Sequence, residues 1–228
     1  PLDRGQRSLF LVTPVPEDWS AEERESWLRE MNDRQITLLV VHEAVPGHYL
    51  QGVWANRSPS LVRSVFASGV YAEGWAVYVT QVLIDEGLAA SDPALELVHW
   101  KFYLRAVLNA LLDVAVHARG LDEAGALALL VDGGFQEPAE ARNKYRRARL
   151  TAGQLSTYFV GSLAFWELEA RAREAAARRA GRPGPVGRSL PGGLVGPEGF
   201  DRRAFWERVL AVGGPPPALL RDWLPGAG

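Results

Sequence analysis

The stretch His42-Glu43-Ala44-Val45-Pro46-Gly47-His48 places two of the chain's 4 histidines beside a glutamate, directly after the apolar run 36–41. Neutral imidazole is a common ligand of zinc, and a neighbouring carboxylate can take a proton from water that zinc has activated. The pattern is close to His-Glu-x-x-His, in which two histidines one helical turn apart share a helix face. In this chain Pro46 stands at the position of the second histidine, and His48 follows two residues later.

The spacing of the two histidines predicts a bend in the backbone. On a straight helix, a step from His42 to His48 turns the side chain by about 240°, so the two could not bind one ion. Pro46 clashes with the carbonyl of His42, and Gly47 permits backbone angles that other residues avoid. We therefore expect a break at residues 45–47 that swings His48 back toward His42. The alternative is an ordinary helix end, with a Pro-Gly turn and two histidines that share no role.

Composition limits the class of protein. The chain has 228 residues, 47% of them hydrophobic, which is enough for the core of one domain or a large part of one. A net charge of −2 gives no reason to expect nucleic acid or an acidic membrane surface as a partner. The absence of cysteine means that any metal must be bound by histidine and carboxylate.

Targeting signals are not evident in the chain. No apolar run is long enough to predict a membrane span, and no signal peptide is visible. The chain opens on Pro1 rather than methionine, so a fragment of a longer protein is one interpretation. The sequence therefore leaves the compartment undetermined.

The distribution of apolar residues, glycine and proline predicts a mainly helical fold with one β element. The run 8–13 has the composition of a strand, and long helices are predicted at 59–87 and 93–119. The many glycine and proline residues at 181–199 predict a loop. We expect three parts: a helical metal-site domain with an N-terminal edge strand or hairpin over 1–180, a Gly/Pro-rich loop over 181–199, and a C-terminal helical segment over 200–228 packing on the same domain.

Glu73 is the best candidate for a third metal ligand. It lies on the predicted helix 59–87 among small residues, Ala72, Gly74 and Ala76, which would let another helix approach closely. A carboxylate on such a face is costly to bury unless it is paired or bound to metal. Glu43 would then act as the general base rather than as a ligand. The alternative for Glu73 is an exposed or salt-bridged glutamate.

Two motifs resemble a known family. The run His-Glu-Ala-Val-Pro-Gly-His-Tyr-Leu-Gln at 42–51 and Glu-Gly-Trp-Ala at 73–76 are similar to motifs of the bacterial "domain of unknown function eight-eight-five" family. Weaker similarity continues over 113–120, 154–161 and 200–206. Members of that family are usually much longer, so the chain resembles their C-terminal part. One departure is Tyr49, where the family often has a second histidine.

The resemblance implies a zincin-like, mainly helical metallopeptidase of the gluzincin type. It implies His42, His48 and Glu73 as the zinc ligands, which is also the set that the residues themselves suggested. It further implies that the strand at 8–13 is an active-site edge that binds extended peptide. The family lends no particular substrate.

A hydrolase of this kind also needs a donor for the negative charge that develops on the substrate oxygen. Tyr158, His117 and Arg149 are the candidates. His117 could be oriented by Asp113 one turn earlier, although a histidine held in the core by Asp113 is an equal reading. Tyr158 could likewise be an ordinary buried, hydrogen-bonded tyrosine.

The sequence therefore favours a Zn²⁺-dependent hydrolase of the metallopeptidase type, with a peptide or a small amide or ester as substrate. One alternative is a metal hydrolase of a non-peptide ester or amide. The other is a non-catalytic helical domain for binding or assembly that kept the motif for structure. A fragment lacking the N-terminal half of the same protein could also bind metal and be inactive.

Overall fold

The computed structural model describes residues 5, 7–181 and 200–224, and these form helices joined by short connections. Wide π-helical turns follow the fifth and seventh helices, at Ile84–Leu88 and Ala128–Asp132. Within the described residues, no helix is both long and apolar enough to cross a membrane. The helices are α1 Ala21–Glu30, α2 Asp33–Glu43, α3 His48–Ala55, α4 Leu61–Val65, α5 Gly69–Leu83, α6 Pro93–Arg119, α7 Glu123–Leu127, α8 Pro138–Leu150, α9 Thr157–Arg179, α10 Arg202–Ala211 and α11 Pro217–Trp223.

The strand predicted at 8–13 is absent, and this part of the prediction is wrong. Residues 7–16 have no regular secondary structure, and the described part of the chain contains no strand. A strand needs a neighbour to receive its backbone hydrogen bonds. Because the described residues offer none, β-forming composition alone does not produce a strand here.

The single helix predicted at 59–87 is also wrong, because the chain breaks between α4 and α5. The backbone N–H of Ser68 donates to the carbonyl of Gly214, at 2.7 Å, instead of continuing the helix. Gly214 packs directly on Ala67, where a Cβ on the glycine would lie 3.0 Å from the Ala67 Cβ. The break is therefore imposed by a contact with the distant C-terminal part of the chain.

The main core lies between α5 and α9, with α10 and α11 packed on the same cluster. Its buried members include Tyr71 and Trp75 from α5, Phe165 from α9, Phe205 from α10 and Leu220 from α11. Burial of large apolar and aromatic side chains is the dominant stabilising contribution in such a core. The loop predicted at 181–199 lies almost entirely outside the described residues.

Two glycines let α5 and α9 approach closely. A Cβ on Gly74 would lie 2.4 Å from the Cα of Gly161, and a Cβ on Gly161 would lie 2.2 Å from the carbonyl oxygen of Val70. Neither position has room for a side chain, because the obstructing atoms belong to the backbone of the opposite helix. The contact fixes the position of α5, which carries Glu73.

The expected break between His42 and His48 is present. Helix α2 ends at Glu43 and α3 begins at His48, while the N–H of Gly47 donates back to the carbonyl of Val41 at 3.1 Å. The Val45–Pro46 peptide bond is cis. Gly47 has φ −76°, so it is needed for a different reason than the sequence suggested. A Cβ there would lie 1.8 Å from the His42 carbonyl oxygen, and only glycine leaves room for this approach.

The turn between α2 and α3 is held by Trp75. Its indole Nε1–H donates to the carbonyl of Pro46 at 2.8 Å, and both groups are buried. The indole ring packs edge-on against the rings of Phe165 and Trp206. Trp75 therefore ties the Pro-Gly turn to the aromatic core.

Replacing Trp75 by Phe is expected to loosen this turn. The change leaves the buried Pro46 carbonyl without its donor, which costs about 1–3 kcal/mol beyond the loss of packing. We expect the free energy of unfolding, measured by urea denaturation, to fall by that much more than in the control Trp166→Phe. Trp166 lies in the same core, and its indole Nε1 is buried without a hydrogen-bond partner. Equal losses in the two variants would show that the bond to Pro46 does not stabilise the turn.

Candidate metal centre

Three side chains from three helices converge at one point. The Glu73 carboxylate Oε2 of α5 lies 3.3 Å from His48 Nε2 of α3 and 3.8 Å from His42 Nε2 of α2. The two imidazole rings meet edge to face, with their centroids 4.9 Å apart. The bend has thus brought together the two histidines that a straight helix would separate.

The distances from Glu73 to the two imidazole nitrogens are close to those between ligands of one metal ion. Zinc is bound by histidine nitrogen and carboxylate oxygen at about 2.0–2.1 Å in tetrahedral sites, which places neighbouring donors about 3.4 Å apart. The two distances from Glu73 Oε2 lie close to this value. His42 is buried, whereas the side chains of Glu73 and His48 are 20% and 25% exposed. The three donors therefore leave one side open for water or a ligand.

Glu43 is a second carboxylate near the histidines. Three donor atoms, one each from His42, Glu43 and His48, all lie within 4.8 Å of one another. These three residues could therefore also hold an ion. The two separations from Glu73 Oε2 match two ligands of one ion. Glu43 is exposed at the end of α2. Glu43 and Glu73 are therefore both candidates for the third ligand beside the two histidines.

The charges in the site depend on each other. Burial by itself raises the pKa of the Glu73 carboxyl, but the imidazoles of His42 and His48 outweigh burial and hold this pKa at about 2. Burial by itself lowers the pKa of His48, but the Glu73 carboxylate, followed by Glu43, raises it above its ordinary value. Glu73 is therefore an anion at neutral pH, and a proton and a metal ion compete for the His48 imidazole.

Two further residues orient the histidines. The Gln51 amide Nε2 donates to the carbonyl of Tyr71 at 3.4 Å, which leaves its amide oxygen to accept from the His48 imidazole. The Phe102 ring packs edge-on against His42, with centroids 5.6 Å apart. Partners of this kind fix the ring orientation of metal ligands. Gln51 lies in the motif at 42–51, but no sequence pattern indicates its contact with His48, and none indicates Phe102.

Tyr158 lies within electrostatic range of Glu73. Burial, followed by the negative charge of Glu73, raises the pKa of the Tyr158 phenol. Its oxygen accepts from Arg147 Nη2 at 3.1 Å and from Gln154 Nε2 at 3.4 Å. The same guanidinium donates to Gln154 Oε1 at 2.8 Å and so fixes the amide orientation. The sequence prediction of Arg149 as a donor missed Arg147, because nothing in the local pattern distinguishes these two arginines.

His117 and Arg149, the other two candidates for an oxyanion donor, contact residues outside the group of His42, His48 and Glu73. His117 is exposed, and its Nε2–H donates to the carbonyl of Ala148 at 2.8 Å, linking α6 to α8. The Asp113 carboxylate lies 3.7 Å from His117 and accepts instead from the N–H and hydroxyl groups of Ser156, at 3.0 and 2.8 Å. The Arg149 guanidinium lies over the Tyr145 ring, 5.9 Å from its centroid. The His117 bond joins α6 to α8, the Arg149 contact lies within α8, and neither involves the converging donors.

Comparison with solved structures supports the fold. A candidate lipoprotein of unknown function from Shewanella oneidensis matches 98% of this chain at 36% identity, with a TM-score of 0.78. A candidate lipoprotein from Colwellia psychrerythraea matches 83% of the chain at 22% identity, with a TM-score of 0.71. The matching regions make up 37% and 29% of those two proteins, so this chain spans about a third of their length.

Comparison with sequence families covers almost the whole chain. No curated protein matches it. The model of a bacterial protein family of unknown function, DUF885, matches residues 1–224, including every residue of the converging site. The match includes His42, His48, Glu73 and Trp75. Because it extends over nearly all of the residues, the chain belongs to the DUF885 family.

Proposed function

We propose that the chain carries the centre of a zinc-dependent hydrolase of the metallopeptidase type, with zincin-like architecture. The observation behind this proposal is the convergence of His42, His48 and Glu73, with Glu73 Oε2 at 3.8 and 3.3 Å from the two imidazole nitrogens. Two imidazoles and one carboxylate are a ligand set typical of catalytic zinc sites, which keep one position open. Zn²⁺ bound there would polarise a substrate carbonyl and lower the pKa of coordinated water.

Glu43 would act as the general base of this hydrolase. It is exposed at the C-terminal end of α2, next to His42, and it lines a cavity together with Ala44 and His48. Its carboxylate would take a proton from the attacking water and pass it to the leaving amine. Because Glu43 is not needed to bind the ion, its carboxylate remains free for this transfer.

Tyr158 is the best-placed donor for the developing oxyanion. Arg147 and Gln154 both donate to its oxygen, so the phenol must direct its own proton to another acceptor. The raised pKa keeps that proton on the phenol at neutral pH. A fixed donor of this kind stabilises charge that appears only in the transition state.

One observation favours a second candidate function. The match covers 37% of the Shewanella protein, so most of that protein lies outside the match. A metal-binding helical domain without activity of its own would have the same three ligands. Activity distinguishes the two functions, since only a hydrolase loses turnover when its base is changed.

The ligand assignment predicts which variants lose metal. His42→Ala and Glu73→Ala should each lower the affinity for Zn²⁺ by about 100-fold or more, because two ligands bind far more weakly than three. The affinity is measured by titration of metal-free protein with Zn²⁺. His117→Ala and Glu167→Ala serve as controls, since these side chains contact Ala148 and two arginines, Arg171 and Arg221. Stoichiometric zinc retained in Glu73→Ala but lost in Glu43→Ala would assign the third ligand to Glu43.

The role of Glu43 predicts a variant that binds metal but does not turn over. Glu43→Gln keeps the size of the side chain and removes the proton acceptor, so kcat should fall by about 10²–10⁴ while the zinc content stays at one ion per chain. Turnover is measured on a panel of fluorogenic peptides, with Glu96→Gln as an exposed control. Unchanged turnover in Glu43→Gln would exclude it as the base.

The role of Tyr158 predicts a separate kinetic signature. Tyr158→Phe removes a donor used mainly in the transition state, so kcat should fall by about 10²–10³ with little change in KM. Tyr145→Phe is the matched control, because the Tyr145 hydroxyl donates to the Leu121 carbonyl at 3.5 Å, away from the site. A raised KM with unchanged kcat in Tyr158→Phe would instead indicate a role in substrate binding.

A further inference from the structure

Two cavities adjoin at His48, one of the proposed metal ligands. Each has a volume of about 730 Å³, and three residues line both of them: Ser8, His48 and Tyr49. His48 therefore stands where the cavities adjoin, with open space on two sides. Small-molecule sites typically occupy about 300–1,000 Å³, so each cavity alone is large enough for a complete ligand.

One cavity, called here the apolar chamber, is formed by Leu9, Phe10, Leu11, Leu39 and Ala44 together with the base Glu43. The side chains contributed by the N-terminal segment are largely uncovered: Leu9 is 74%, Phe10 46% and Leu11 82% exposed. Apolar surface gains free energy when a ligand removes it from water. The apolar chamber therefore favours apolar side chains of a bound ligand.

The other cavity, called here the polar chamber, has a different lining. Gln51, Asn56, Arg57 and Ser64 contribute polar groups to its wall. Arg57 is exposed, and among the described residues its guanidinium has no acidic partner. An unpaired guanidinium binds carboxylate well, because its planar donors match the two oxygens. The polar chamber therefore favours an anionic group.

The position of His48 between the chambers constrains how a substrate can lie. A ligand whose carbonyl is held at the metal centre has room on both sides of that carbonyl. Release of a single terminal residue would require space for only one residue on one side. The two chambers offer space for several residues of a ligand on each side of His48, and their linings differ in polarity.

We infer that the substrate is a peptide that runs through both chambers and is cleaved at an internal bond. Apolar side chains occupy the apolar chamber, and a carboxylate of the peptide pairs with Arg57 in the polar chamber. This inference deepens the proposed hydrolase function and rests on it. It names the substrate class as oligopeptides rather than single terminal residues, and it makes Phe10 and Arg57 specificity-determining residues.

The reaction consumes one water molecule. Its oxygen bonds to the carbonyl carbon, the C–N bond breaks, and Glu43 carries the first proton to the leaving nitrogen. The new carboxyl group loses the second proton, which the amine product binds at neutral pH. No oxidant, reductant or other co-reactant is required.

The test compares peptides with blocked and free ends. The zinc-loaded chain is incubated with an eight-residue peptide containing Phe, Leu and Glu, either acetylated and amidated or with free termini, and the products are identified by mass spectrometry. We expect the same internal cut in both peptides. Stepwise removal of terminal residues, seen only with the free-ended peptide, would overturn the inference and leave the hydrolase function standing. No cleavage of either peptide by the zinc-loaded chain would contradict both.

Binding measurements test the two chambers separately. Glu43→Gln loaded with zinc binds the blocked peptides without turnover, and affinity is read from fluorescence anisotropy. Adding Phe10→Ala should weaken binding about tenfold for the peptide with Phe and Leu, but not for one with Ala in their place. Leu97→Ala is the control, since Leu97 is 71% exposed on α6 and lines neither chamber.

Adding Arg57→Ala should weaken binding about tenfold for peptides with a carboxylate and not for those with Gln in place of Glu. A blocked peptide with Glu and a Gln peptide with a free C-terminus show whether the side chain or the terminus supplies the carboxylate. Arg203→Ala, an exposed arginine paired with Glu207, is the control. Losses of binding affinity that do not depend on the peptide sequence, or no loss of affinity at all, would overturn the assignment of the chambers.

Discussion

The close approach of Gly47 to the carbonyl of His42 is the constraint on which the convergence of the two histidines and Glu73 depends. At this point the chain turns back over the end of α2, so closely that a Cβ would lie 1.8 Å from the His42 oxygen. The hydrogen bonds from the Ala44 and Gly47 N–H groups to the carbonyls of Val40 and Val41 are kept through the turn, at 2.8 and 3.1 Å. The reversal therefore leaves few backbone groups unsatisfied, and it converts a spacing that would separate two imidazoles into one that joins them.

Three consecutive residues of α5 complete the arrangement. Each step along a helix turns the side chain by about 100°, so Glu73, Gly74 and Trp75 face three different directions. Glu73 meets the two imidazoles, Gly74 contacts Gly161 of α9, and Trp75 binds the carbonyl of Pro46. The helix that supplies the carboxylate thus also sets its distance from the core and from the turn. A shift of α5 along α9 would move all three contacts together, which explains why small residues are needed beside Glu73.

Features encoded within a few neighbouring residues could be predicted from the sequence, and those that depend on distant contacts could not. The break before His48 follows from Pro46 and Gly47, and the carboxylate on a small-residue helix indicated Glu73. The interruption between α4 and α5 follows from the bond between Ser68 and Gly214, which no local pattern reveals. The prediction of a strand at 8–13 is wrong because residues of β-forming composition still need a neighbouring strand to pair with. The choice of Arg147 over Arg149 depended on how α8 is turned toward Tyr158.

The buried carboxylates of the described chain differ in what neutralises them. Glu30 pairs with Lys101 and Arg105, and Glu169 pairs with Arg173 and Arg202, so permanent cations balance both charges.

Glu73 faces two imidazoles instead, and an imidazole is charged only when it is protonated. A buried carboxylate kept for stability alone has permanent cations, as Glu30 and Glu169 have, or several hydrogen-bond donors, as the buried Asp113 has in Gly153 and Ser156, because an uncompensated buried charge is costly. A divalent cation supplies the missing positive charge and uses the imidazoles in their neutral form. The partners of Glu73 in the described part of the chain are the two imidazoles, and this arrangement supports the proposed metal centre.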